Sequence, residues 1–175
     1  MPLKPHEGHR KEGERHLRVK VVTVSTSRFA KRENGEEYTD EAGDVAVEAS
    51  SRAGHTVSGR ELISDDSKML KREVGKFLSG GDDVLLFTGG TGVSPRDITI
   101  ETVRPYFEKE ITGFGELLRR VSFDEIGSAA MLTRATAGVV KGKLIVCMPG
   151  SPGAVETALK TAMGEFPHIL FVARG

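Results

Sequence analysis

Two hydrophobic periods take turns along the chain. "RVKVVTV" (18–24) and "HTVSGRELI" (55–63) carry the β-branched and apolar runs of strands. Between them, "EAGDVAVEASSRAG" (41–54) has helical spacing, with Asp40 placed to cap its start and Gly54 to stop its end. The polar stretch 25–40 keeps neither period and reads as a loop. "DDSKMLKREVGKFLSGG" puts Met69, Leu70, Val74, Phe77 and Leu78 on one helical face before two glycines end it. "DVLLF" (83–87) is apolar throughout, as a central parallel strand covered on both faces must be. "DITIETVRPYF" predicts a helix broken near Pro105. Two weaker helical segments span "GFGELLRRVSFDEIGSAAML", with Asp124 and Glu125 as a solvated turn between them. "RATAGVVKGKLIVCMPG" predicts a hairpin turning at "KG", and "SPGAVETALKTAM" a last full helix with Ser151 as N-cap and Pro152 at its first position. Strands alternating with helices mean a three-layer α/β domain with a mostly parallel sheet.

Composition narrows the class. The 175 residues suffice for one domain, expected over 17–175. Residues 1–16, "MPLKPHEGHRKEGERH", are charged and without period, and read as a mobile arm. His6, His9 and His16 lack the paired spacing of a zinc site, so they read as part of a solvated tail. Lys+Arg and Asp+Glu balance at 25 each, which argues for neither a nucleic acid nor a membrane partner. No apolar stretch reaches membrane-spanning length and the N-terminus is not signal-like, so a cytoplasmic protein is expected. The lone Cys147 sits in an apolar run and reads as a small buried hydrophobe.

The chemistry concentrates in "LLFTGGTGVSPRD" (85–97). Three loops follow strands at the rim where open α/β sheets bind ligands: Ser25–Arg28, Thr88–Arg96 and Pro149–Ser151. Glycines let backbone N–H groups approach an anion, and Thr88 and Thr91 add hydroxyl donors. The pattern is not a P-loop, since Val93 stands where a lysine is required. Either "GGTG" cradles a phosphate or it is a tight structural turn. Asp97 is open in the same way, as a helix cap or as a metal ligand. Asp65 and Asp66 end the second strand and are expected at the same rim. Carboxylates beside a phosphate loop are what Mg²⁺ shares with substrate phosphates. No Ser-His-Asp or Cys-His constellation is present.

The motifs "TVSTSR", "YTDEAG", "AGHTV", "ISDD", "LLFTGGTGVSPRDIT", "EITGFGELLR", "SFDEIGSAAMLTRATAG" and "MPGSP", in this order, resemble the MoaB/MogA family of molybdenum cofactor biosynthesis, nearest to its archaeal MoaB branch. The resemblance implies a Rossmann-like fold, a trimer or hexamer, and transfer of AMP from Mg·ATP to the terminal phosphate of molybdopterin with release of pyrophosphate. A molybdate- or tungstate-inserting enzyme would receive the product. It implies Asp65 and Asp97 as catalytic and Mg²⁺-holding residues. Thr88, Gly89, Gly90, Thr91, Gly92, Pro149, Gly150 and Ser151 would hold the nucleotide. Ser25, Ser27, Arg28, Arg96, Thr133 and Arg134 would hold the pterin. Ser27 stands where MogA-like members have an acidic residue. The rival reading is a molybdopterin carrier of the same family that performs no transfer.

Overall fold

The fully apolar run around Leu85 lies where its pattern puts it, in the middle of a sheet. The computed structural model describes residues 16–175. Among them, β1 (Arg18–Val24), β2 (Thr56–Ile63), β3 (Val84–Thr88), β4 (Lys109–Glu110), β5 (Thr136–Val140) and β6 (Lys143–Met148) form one sheet in the order β2-β1-β3-β6-β5-β4. The four strands from β2 to β6 pair in parallel, whereas β5 and β4 add an antiparallel edge. Both faces of the parallel part are covered. On β3, Val84 and Leu86 meet one apolar cluster while Leu85 and Phe87 meet the other. The helices α2 (Glu41–Arg52), α5 (Thr112–Ile126), α6 (Pro152–Ala162) and α7 (Phe166–Arg174) cover the first face; α3 (Ser67–Ser79) and α4 (Thr99–Val103) cover the second. Helices on both faces of a twisted sheet give the three layers expected.

Caps and turns follow their chemistry. Asp40 accepts from Gly43 N at the start of α2, and Gly54 follows its end with φ 85°. The "KG" turn between β5 and β6 has φ 51° at Lys141 and 67° at Gly142, the mirror-image turn that suits strand twist. Pro105 lies in a 3-10 turn (Arg104–Tyr106) that ends α4. Cys147 is fully buried, and desolvation pushes its thiol pKa up, so it is an inert core residue.

Four expectations need correction. The helix predicted over "SPGAVETALKTAM" is not the last, because α7 follows it. The stretch read as a loop contains a helix, α1 (Thr26–Glu33). It buries no side chain, so it has no apolar stripe to find; Ser25 caps it, and Arg32 anchors it by donating to Leu62 O at 3.0 Å and lying over the Phe29 ring. Asp124 and Glu125 are not a turn. They occupy the last turns of α5, where Asp124 pairs with Arg120 and Glu125 accepts from the Thr157 hydroxyl. Of the predicted arm, residues 1–15 lie outside the described residues. His16 does not behave as solvated tail, because its ring nitrogens reach Gly54 O at 2.6 Å and the Thr56 hydroxyl at 2.8 Å. Among the described residues, no helix is long and apolar enough to cross a membrane.

A buried ion pair ties α3 to the sheet. Glu73, 1% exposed, accepts from Lys20 of β1 at 2.8 Å and from Lys76 at 2.9 Å. Burial pulls its carboxyl upward, yet the two lysines hold it below its ordinary pKa; Asp40, also drawn up by burial, is held below its own by Arg60, Thr23 and the Gly43 N–H. Glu73→Ala strands the Lys20 ammonium and should cost about 3 kcal/mol in a urea melt of the chain. Both carboxyls have folded pKa values below their unfolded ones. Their stabilisation is therefore present above the unfolded values near pH 4 and is lost as pH falls through the lower folded values. A pH series of melts should show a loss below about pH 4 that Glu73→Ala reduces.

Candidate functional site

Because β2, β1, β3 and β6 run parallel as neighbours, their carboxyl ends open on one edge of the sheet. A cavity of about 770 Å³ lies there. Ser25, Thr26 and Ser27 line it after β1; Asp65 after β2; Gly89, Gly90, Thr91, Gly92, Arg96 and Asp97 after β3; and Pro149, Gly150 and Ser151 after β6. The opposite wall is Ile126, Ala129, Leu132, Thr133 and Arg134, from the end of α5 and the 3-10 stretch Gly127–Leu132 that follows it.

The glycine loop is held from outside. Thr99, at the start of α4, donates through N to Gly90 O at 2.9 Å and through its hydroxyl to Gly89 O at 3.0 Å. Arg134 donates to Gly92 O at 2.7 Å, and Gly89 N reaches Met148 O at 3.0 Å. The loop carbonyls are thus turned to protein donors, whereas the N–H groups of Gly90, Thr91 and Gly92 meet no backbone acceptor among the described residues. Beside them lies the N-terminus of α6, where Ser151 makes no side-chain cap bond. Unpaired N–H groups and a helix dipole aimed at one space suit an anion.

Space at the loop is tight. A side chain begun at Gly90, which has φ 64°, would put its Cβ 2.4 Å from the Thr99 hydroxyl and 2.5 Å from Asp65 Oδ1. One at Gly150 would meet Gly89 Cα at 2.9 Å. Only glycine lets these three segments close together.

The two carboxylates are differently held. Asp65 Oδ2 accepts from Thr26 N at 3.1 Å and from the Thr26 hydroxyl at 2.9 Å, while Oδ1 is buried without a partner. Asp97 does not cap a helix: α4 starts at Thr99 behind an Ile98 N-cap, and Asp97 Oδ2 instead closes a turn by accepting from Ser94 N at 3.1 Å. Arg96 is exposed beside it. Arg134 pairs with Glu101, whose carboxyl is drawn up by partial burial but held below its ordinary pKa by that arginine.

Two of the expected ligand residues do not reach the cavity. Thr88 is fully buried with an unpartnered hydroxyl inside the sheet, and Arg28 turns away to donate to Thr39 O at 2.8 Å. Asp66 is the N-cap of α3, accepting from Met69 N, and does not line the cavity. Thr26 lies in a loop expected at the rim but was not singled out, and Ile126 and Leu132 were not expected as a cavity wall. A threonine in a polar stretch looks like its neighbours, and an apolar residue in a helical segment does not show which space it faces.

A family model described as a probable molybdopterin binding domain matches residues 20–168. The chain is 42% identical over 166 residues to molybdenum cofactor biosynthesis protein B of Bacillus anthracis, covering 93% of this chain and 94% of that one. It is 38% identical over 172 residues to a molybdopterin adenylyltransferase of Pyrococcus furiosus, covering 96% and 98%. Among solved structures, the tungsten cofactor synthesizing protein MoaB from Pyrococcus furiosus superposes with a TM-score of 0.82 at 36% identity, over 93% of this chain and 99% of that one.

Proposed function

The chain belongs to the molybdenum cofactor biosynthesis family of MoaB and MogA, and from that premise we infer that it is a molybdopterin adenylyltransferase using ATP and Mg²⁺. A terminal phosphate oxygen of molybdopterin attacks the α-phosphorus of ATP. The bond to the β-phosphate oxygen breaks, pyrophosphate leaves, and AMP remains on the pterin. The attacking oxygen is already ionised near neutral pH, so no general base is needed. What the protein must do is align two anions that repel each other. The N–H groups of Gly90–Gly92 and the start of α6 hold phosphate oxygens, and exposed Arg96 adds positive charge. The apolar wall of Ile126 and Leu132 suits a flat ring.

The observation that carries this reading is Asp65 Oδ1, buried, unpartnered and facing Gly90. A carboxylate oxygen left free beside a phosphate cradle suits a cation, and Asp97 supplies a second carboxylate on the glycine loop. Two carboxylates suit an ion whose remaining ligands are substrate phosphates and water. Asp65 and Asp97 would hold Mg²⁺, which when bound neutralises phosphate charge. The protein mixed with molybdopterin, ATP and magnesium should release one pyrophosphate per pterin consumed. Binding without release would make it a carrier.

The same reading places the protein in the cytoplasm as a homo-oligomer, a trimer or hexamer, that hands its product to a molybdate- or tungstate-inserting enzyme. What supports assembly is the outer side of α5 and of the 3-10 stretch after it. Phe114 and Leu118 pack into the core, yet Leu117, Phe123 and Met131, none of which lines the cavity, are more than half exposed. Monomers of this size rarely leave such a patch uncovered. Light scattering should give a multiple of three chains, and Leu117→Glu should lower that mass. A monomer at micromolar concentration would contradict it.

A further inference from the structure

We propose that Thr26 is a positioning residue for Asp65, its hydroxyl holding the carboxylate so that Oδ1 faces the glycine loop; this rests on the reading of Asp65 as a magnesium-side ligand. The Thr26 hydroxyl donates to Asp65 Oδ2 at 2.9 Å and accepts from Asp65 N at 3.2 Å and from the Ser64 hydroxyl at 3.0 Å. One donor and two lone pairs are all that a threonine hydroxyl has, and all three are used on the end of β2. The Thr26 N–H adds a second bond to the same carboxylate oxygen at 3.1 Å.

The consequence is an asymmetric carboxylate. Two donors pin Oδ2, which stops rotation about the Cβ–Cγ bond. Among the described residues no protein group hydrogen-bonds Oδ1, which stays buried against Gly90. Mg²⁺ tolerates little departure from octahedral geometry, so an oxygen fixed in advance binds it more tightly than one that swings. The helix α1 serves this arrangement directly: Thr26 is its first residue, and its otherwise unpaired N–H finds its acceptor in Asp65.

The test compares Thr26→Val, which keeps the shape and the N–H but loses the hydroxyl, with Thr26→Ser, which keeps the hydroxyl. Mn²⁺ binding in the presence of ATP, followed by electron paramagnetic resonance, should weaken about tenfold in Thr26→Val and stay near wild type in Thr26→Ser. In turnover, the Mg²⁺ concentration for half-maximal rate should rise about tenfold in the valine variant, with the rate recovering at saturating Mg²⁺. Unchanged Mn²⁺ affinity in Thr26→Val would overturn the proposal. So would a lowered melting temperature with activity that excess Mg²⁺ does not restore, since that marks a structural role. If wild type itself transfers no AMP, the function fails instead, and the Mn²⁺ comparison of the two variants still decides this inference.

Discussion

Asp97→Asn should give a folded protein whose adenylyl transfer is roughly a thousandfold slower, a loss of several kcal/mol of charge stabilisation. The amide has the shape of the carboxylate, and its oxygen can still accept from Ser94 N, so the turn 94–97 should survive. What disappears is a negative charge beside Gly92, whose Cβ position lies 2.7 Å from Asp97 Oδ2. Single-turnover rates at saturating ATP and a thermal melt check both halves. A full rate would mean that Asp97 only closes its turn.

Asp97 also marks how far the sequence could be read. Its place on the glycine loop was legible, because an apolar strand running into "GGTG" forces the next residues to the sheet rim. Its local role was not: whether a residue caps a helix depends on where α4 begins, and that is set by Thr99 bonding back to Gly89 and Gly90. Asp65 was legible from topology alone, as the residue after a parallel strand. The "KG" turn was legible from its left-handed backbone demand. The helix α1 was not, because its supports come from far along the chain, at Leu62 and Asp65, and it has no buried face to give a period. Thr88 was expected to offer its hydroxyl to a phosphate, and it occupies the last, fully buried position of β3, outside the cavity lining.

Gly90→Ala should cost about a hundredfold in activity and about 1–3 kcal/mol in stability. Backbone strain is one part, since φ is 64° and L side chains avoid that region. Collision is the other. The methyl would fall 2.4 Å from the Thr99 hydroxyl and 2.5 Å from Asp65 Oδ1, so the loop must move away from the carboxylate that faces it. A displacement near 1 Å is enough to spoil in-line alignment of two phosphates. Gly81→Ala is the control, having no heavy atom within 4 Å of the added carbon and no positive φ, and it should keep wild-type rate and melting temperature. Equal behaviour of the two variants would show that the loop does not approach a reacting group.

If AMP is transferred, the α-phosphorus of ATP must end on the pterin. Wild-type protein is incubated with molybdopterin, magnesium and ATP labelled at either the α- or the γ-phosphate, and the pterin is then separated. Label should enter the pterin only from the α-position, in one-to-one proportion with pyrophosphate formed, and should not do so with Asp97→Asn. Label reaching the pterin from the γ-position, or molybdopterin held tightly with no label from either, would contradict the account.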